Sequence, residues 1–168
     1  MAEEYGYVID KNNNIIGKAT KKDIVEKNLM HRGTTIYVFN SKQEILVTRR
    51  AKNKKLFPGL LEIGQGGSMI YGESFEEGAV RELEEELGIK NVKLKFIFDF
   101  FYKDNHVSFF AKTYQCAYDG KLLLQKEEIE GYFFVAVHKL KNLIDKEPER
   151  FSPDSLTQFR EYLNVTSP

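Results

Sequence analysis

Cysteine is nearly absent from this chain: Cys116 stands alone among 168 residues. A single thiol excludes an internal disulfide and fits a reducing compartment. Tryptophan is missing altogether, yet 13 Phe and 9 Tyr bring the aromatic share to 13%, which is ordinary for a packed globular core. Neither sign of charge dominates, because 25 Lys and Arg face 25 Asp and Glu. No global field therefore draws the chain toward nucleic acid or a membrane surface. No apolar run approaches the length of a membrane span. The opening MAEEYGYVID is acidic, where a secretory leader would be basic and then apolar. Repeats, low-complexity stretches and linkers are lacking as well. The expectation is one cytoplasmic domain across residues 1–168, long enough to bury a core, with its oligomeric state left open.

What is present in abundance is carboxylate at fixed spacing. Residues 67–89 read GSMIYGESFEEGAVRELEEELGI, a loop followed by a helix. Ser74 with Glu77 three residues on is a capping box, so the helix starts just after Ser74. Gly88 past Leu87 is a natural stop. At helical spacing Ala79, Val80, Leu83 and Leu87 form one apolar face, expected to pack on a sheet. Glu82, Glu85 and Glu86 stand at i, i+3 and i+4 and are expected to project together from the opposite side. Three clustered carboxylates repel one another unless a cation lies among them, and hard oxygen ligands suit magnesium or manganese.

Written as a pattern, the segment is Gly67, five residues, Glu73, seven residues, then Arg81-Glu82-Leu83, one residue, Glu85-Glu86, one residue, Gly88-Ile89. That is the complete signature of the Nudix hydrolases. Seven fixed identities in one frame arise by chance on the order of once in a million chains at ordinary residue usage. The resemblance implies that Arg81 pairs with Glu73 to hold the loop on the helix. It also implies that the Gly66 carbonyl joins Glu82, Glu85 and Glu86 as a metal ligand. A glycine at that point lets the backbone come close to ion and substrate.

Around this segment the chain alternates short strands and helices. Strands are expected at Tyr5–Asp10 and Asn14–Lys18, with a short helix at Lys21–Lys27 closing an N-terminal extension over residues 1–30. Thr34–Asn40 and Glu44–Arg49 predict a hairpin, and Leu60–Ile63 predicts a strand entering the Gly67 loop. Val92–Tyr102, Val107–Ala117 and Gly131–Val137 are rich in aromatic and β-branched residues and read as strands. Helices are expected at Lys139–Lys146 and Asp154–Leu163, the latter entered through Pro153, and Val165–Pro168 are expected to fray. Strands enclosing one helix and ending in another suggest an α/β/α sandwich on a central mixed sheet. That is also the Nudix fold.

A second resemblance covers the first ninety residues. His31-Arg32 and ILVTRRAKNKKLFPG at Ile45–Gly59 resemble the type I isopentenyl-diphosphate isomerases and their related hydrolases. By that resemblance Arg50 and Lys54 bind a substrate diphosphate, with Arg49 beside them. Arg49, Arg50, Lys52, Lys54 and Lys55 offer guanidinium and ammonium groups suited to phosphate. The isomerase parts are nevertheless incomplete. Gly66 stands where the isomerases carry their catalytic Cys, Ser68 where they carry a metal-binding His, and Asp104 and His106 where a pair of glutamates is expected. Glycine cannot protonate an alkene. Cys116 is expected in the core, and His31 is read as structural.

The sequence therefore points to a metal-dependent pyrophosphohydrolase acting on a nucleoside diphosphate linked to another group, a small-molecule substrate. Arg81, Glu82, Glu85 and Glu86 are its catalytic set, and Glu82 is the first choice for activating water. Glu127 or Glu128 is the alternative base. An isomerase, or a non-catalytic nucleotide-binding module, is the alternative function. Phe57, Tyr71, Phe100, Phe101 and Tyr102 are candidates to stack on a base.

Overall fold

A computed structural model describes residues 3–167. Its strands follow from runs whose alternate residues face opposite layers. In β3 (His31–Phe39), Ile36 and Val38 turn to one core while Tyr37 turns to the other, all three fully buried. In β4 (Glu44–Arg50), Leu46 joins the first core while Ile45 and Val47 join the second. Near-continuous apolar runs of this kind belong to strands covered on both faces.

The sheet is mixed. β1 (Tyr5–Ile9) and β2 (Ile15–Thr20) form an antiparallel hairpin beside β3. The helix α1 (Lys21–Glu26), whose first turn is capped by Thr20, separates β2 from β3. β3 runs parallel to β7 (Ser108–Ala117) over nine residue pairs, from His31↔Phe109 to Phe39↔Ala117. β7 pairs antiparallel with β6 (Lys95–Lys103). On the other side, β4 pairs antiparallel with β8 (Ile129–Ala136) and with the short β5 (Leu61–Ile63). The helix α2 (Phe75–Leu87) covers one face through Ala79, Leu83 and Leu87. The other face is covered by α3 (Val137–Lys146) and α4 (Pro153–Thr166), which bring Leu140, Ile144, Leu156, Phe159 and Tyr162 against Tyr37. The expected α/β/α sandwich holds.

Three expectations are corrected. The β3–β4 hairpin pairs only at Phe39↔Ile45 before the strands part. The freed edge of β3 is taken by the loop after β5, through the bridges Ile36↔Gln65 and Gly33↔Ser68. The glycine-rich loop is thus pinned to the sheet like a further strand. Next, β6 begins at Lys95, and Val92 and Leu94 pack on the α2 side of the core from the connection before it. Last, the final helix runs beyond Leu163, its expected end. α4 continues to Thr166, with the Thr166 hydroxyl donating to the Tyr162 carbonyl at 2.6 Å; Pro168 lies outside the described residues. No helix among the described residues is long and apolar enough to cross a membrane.

Candidate active site

The site is built where α2 meets the pinned loop. The capping box is complete: the Glu77 N–H donates to Ser74 Oγ at 3.2 Å and the Ser74 N–H donates to the Glu77 carboxylate at 2.8 Å. Gly88 ends the helix in the left-handed region at φ 68°, as a C-terminal glycine does. Ala79, Leu83 and Leu87 are buried as expected, but Val80 is 44% exposed. The carboxylates are also displaced from the expected position. At about 100° per residue, Glu86 and Glu82 fall within about 60° of Ala79, so they border the apolar face and do not oppose it. Glu82 is accordingly 7% exposed. Gly67 makes room for it, since a Cβ there would stand 3.0 Å from Glu82 Oε2.

Arg81 is the cation inside this cluster. Its Nε donates to Glu73 Oε1 at 2.6 Å and its Nη2 to Glu73 Oε2 at 3.1 Å, the expected brace between loop and helix. The same side chain reaches further, Nη1 donating to Glu82 Oε1 at 2.8 Å and to Glu85 Oε2 at 3.1 Å. Glu73 in turn accepts the Ile70 N–H at 2.9 Å. One planar guanidinium with five donors can hold three carboxylates in this way, where an ammonium could not.

Glu86 has no such partner. Its carboxylate accepts no hydrogen bond from the described residues. Burial holds its pKa well above the usual carboxylate range, and the neighbouring Glu82, Glu62 and Glu128 raise it further against the opposing charge of Lys54. Burial also raises Glu82, with Arg81 pulling the other way. The Gly66 carbonyl likewise accepts no hydrogen bond from the described residues, although Gln65, Gly67 and Ser68 on either side all have partners. Among the described residues, no three His, Cys, Asp or Glu side chains converge as a ready metal cage. The donor set nevertheless fits a hard cation. An enclosed surplus of carboxylate and an unpaired carbonyl lie on the same loop–helix junction.

The cations of the basic loop each have a partner of their own: Arg49, Arg50, Lys54 and Lys55 are held by nearby carbonyls or carboxylates. Arg50 Nη1 donates to both Glu62 oxygens, at 3.0 and 2.9 Å, and its Nε donates to the Leu56 carbonyl at 3.1 Å. Arg49 donates to the Gly59 carbonyl at 3.1 Å, Lys55 pairs with Glu26 at 3.0 Å, and Lys54 pairs with Glu128. Of these, Lys54 and Arg50 both lie close enough to Glu86 to feel its charge. Glu128 belongs to the carboxylate cluster, while Glu127 is exposed.

A cleft of about 180 Å³ opens on the other side of the loop, floored by Gly64–Ser68. Its walls come from the end of α1, the start of β3, the β4–β5 loop and the first turns of α4. Of the five aromatic candidates only Phe57 lines it, edge-on to His106 with centroids 6.2 Å apart. Tyr71 packs on Tyr7 at 4.7 Å, Phe100 is buried, Phe101 is exposed on β6, and the Tyr102 hydroxyl donates to Asp104 at 2.9 Å. His31 is 8% exposed, with Nδ1 donating to the Leu29 carbonyl at 2.9 Å and burial lowering its pKa; that is a satisfied structural histidine. Burial pushes the Cys116 thiol up to about 11. Two cleft carboxylates, Glu62 and Asp154, escaped the sequence reading. Glu62 is the lone acid between two buried apolar residues of β5, and Asp154 reads as an ordinary helix-opening acid after Pro153.

This α/β/α arrangement is shared with solved structures. The protein DR0079 of Deinococcus radiodurans superposes with a TM-score of 0.72 at 22% identity, over 85% of this chain and 90% of that one. The MutT protein of Methanosarcina mazei Go1 superposes with a TM-score of 0.67 at 23% identity, over 80% and 93%. In sequence, residues 29–155 match the family model of the NUDIX domain. The Nudix hydrolase PA4841 of Pseudomonas aeruginosa is 32% identical over 161 residues, 94% of this chain and 92% of that protein. The chain belongs to the Nudix family and is a Nudix hydrolase. Gly66 also bears on the isomerase reading. It sits at φ 138°, and a Cβ there would lie 2.2 Å from the Thr34 carbonyl oxygen, so the catalytic Cys has no place.

Proposed function

We propose that the chain cleaves the diphosphate bond of a nucleoside diphosphate linked to a second group, using magnesium or manganese. The observation that carries this is Glu86, a part-buried carboxylate at the loop–helix junction that accepts no hydrogen bond from the described residues and has the carboxylates of Glu82, Glu62 and Glu128 near it. Glu82, Glu85, Glu86 and the Gly66 carbonyl would hold the cation, and Glu85 would have to turn from Arg81 to do so. When bound, a divalent ion neutralises the diphosphate and acidifies water.

The chain's own groups supply the rest. Glu82, braced by Arg81 and seated on Gly67, is the first choice to orient and deprotonate the attacking water, with Glu128 as the alternative. Arg81 keeps the loop and helix in register, so the two halves of the site cannot drift apart. Lys54 and Arg50 are assigned to the diphosphate, with Arg49 beside them, because Lys54 pairs with Glu128 and Arg50 with Glu62, both near Glu86. A buried thiol and the lack of any possible internal disulfide support a cytoplasmic setting.

The test uses Glu85→Gln and Glu86→Gln. Each should lower turnover of nucleoside diphosphate derivatives by about a hundredfold or more, the scale of losing a key electrostatic group. Manganese binding, followed by calorimetry, should weaken in parallel while the fold survives. Near-normal turnover in both variants at saturating magnesium would remove this site.

A further inference from the structure

The cleft wall built from β4, β5 and the first turn of α4 is rich in acid and carries unpaired groups. Arg50 is neutralised there by Glu62, and Asp154 adds a second carboxylate that feels the Arg50 charge. Past Arg50, the surplus of carboxylate repels a diphosphate, so the group taken there is neutral or donor-rich. Asp154 Oδ1 and Gln65 Nε2 are shielded from solvent and neither atom makes a hydrogen bond of ordinary geometry among the described residues, although Ser152 and the Ser155 N–H lie beside the Asp154 carboxylate; both residues line the cleft. The orientation of Gln65 is set by Thr48, whose hydroxyl donates to Gln65 Oε1 at 3.1 Å, leaving the amide N–H groups free. Buried polar groups left without partners are rare and costly, and they call for a ligand or water. An acid in the first turn of α4 also favours the helix dipole, but a solvated carboxylate would serve that purpose equally well.

We propose that Asp154 is a specificity-determining residue that accepts a hydrogen bond from the amino group of a nucleobase, with Gln65 Nε2 donating to an acceptor on the same base. The proposal rests on the reading of the chain as a nucleoside diphosphate hydrolase. Phe57, at the cleft wall, supplies an aromatic surface for the base. Its backbone is held at φ 51°, a conformation uncommon for a bulky residue and one found at ligand clamps. The substrate class is therefore an adenine, guanine or cytosine diphosphate derivative, disfavouring hypoxanthine and uracil counterparts.

Two measurements test it on the intact protein. The first compares kcat/KM for matched pairs: adenosine and guanosine against inosine diphosphate ribose, and cytidine against uridine diphosphate glucose. At least one amino-bearing member should lead the partner that lacks its amino group by about tenfold or more, the scale of a lost hydrogen bond to a charged group. Asp154→Asn should bring that ratio close to one. Asp154→Glu should do the same while keeping the melting temperature, because it retains the helix charge but moves the carboxylate. The second measurement is calorimetric binding of ADP, GDP, CDP, IDP and UDP without turnover. Preference for amino bases in binding, with no hydrolysis of any compound, would support Asp154 and remove the hydrolase substrate assignment. Ratios within about twofold for every pair, or ratios unchanged in both variants, would overturn the proposal. So would a failure to bind any of the five nucleotides.

Discussion

At the scale of single residues, two adjacent glycines meet different obstacles. A Cβ at Gly66 would press into the Thr34 carbonyl, which is backbone of a buried strand, and Gly66 also sits at φ 138°. Gly66→Ala should cost about 3 kcal/mol or more, since neither strain nor clash has a cheap escape. A Cβ at Gly67 would meet only the end of the Glu82 side chain at 3.0 Å. Gly67→Ala should fold, with a melting temperature within a few degrees of the parent, yet lose most turnover because Glu82 is pushed from its seat. Melting curves and rates on both variants check this. A Gly66→Ala protein that melts like the parent would show that the loop is not packed on β3 as described. The glutamate spacing and the Arg81–Glu73 pair are legible in the sequence because local helix geometry sets them. Glu62 and Asp154 are not. Their enclosure comes from β5 and α4 meeting across 92 residues of chain, through Ser155 Oγ bonded to both the N–H and the carbonyl of Ile63.

At the scale of elements, α2 carries strong local instructions. Its capping box, apolar stripe and terminal glycine agree with one another, and the helix forms where they direct. Ser74→Ala should therefore cost about 1 kcal/mol, lowering the melting temperature by about 2–4 °C for a chain of this size. Turnover should hold at temperatures where the protein stays folded, since the cap lies two turns from Glu82. A thermal melt paired with a rate measurement separates the two effects, and an equal loss of rate at low temperature would tie the cap to the site. The same element shows where periodicity misleads. Val80 belongs to an apolar stripe by spacing, yet it is exposed, and Glu82 is buried in its stead with Glu86 part-buried one turn on. The β3–β4 pair fails for a related reason. The connection over Asn40–Gln43 reads as a hairpin turn, but beyond Phe39↔Ile45 the facing edges find other partners, β3 in the glycine loop and β4 in β5. Edge choice is a competition among distant segments, and no local pattern announces its outcome.

Across the whole molecule, stability is expected to be graded from the central parallel pair outward. β3 and β7 share an unbroken nine-residue register with helices on both faces of β3, and Ile36, Tyr37 and Val38 have no solvent exposure. β2 is the opposite case: every residue from Ile15 to Lys18 is exposed, and its outer edge has no partner strand among the described residues. Local opening follows the density of buried contacts. Amide hydrogen exchange should therefore be slowest in β3 and β7, limited by global unfolding, and fastest among the sheet strands in β2. The glycine loop offers the sharper test of how the site is held. Three of its groups bond directly to β3: the Gln65 N–H to the Ile36 carbonyl at 2.8 Å, its carbonyl to the Ile36 N–H at 2.6 Å, and the Gly67 carbonyl to the Thr34 N–H at 3.0 Å. If those bonds anchor the loop, the Gln65 amide exchanges nearly as slowly as β3 itself, far below the rate of the Lys52–Leu56 segment. A Gln65 amide that exchanges at the rate of that basic segment would mean the loop detaches on its own, and the carbonyl of Gly66 would not be a fixed ligand position.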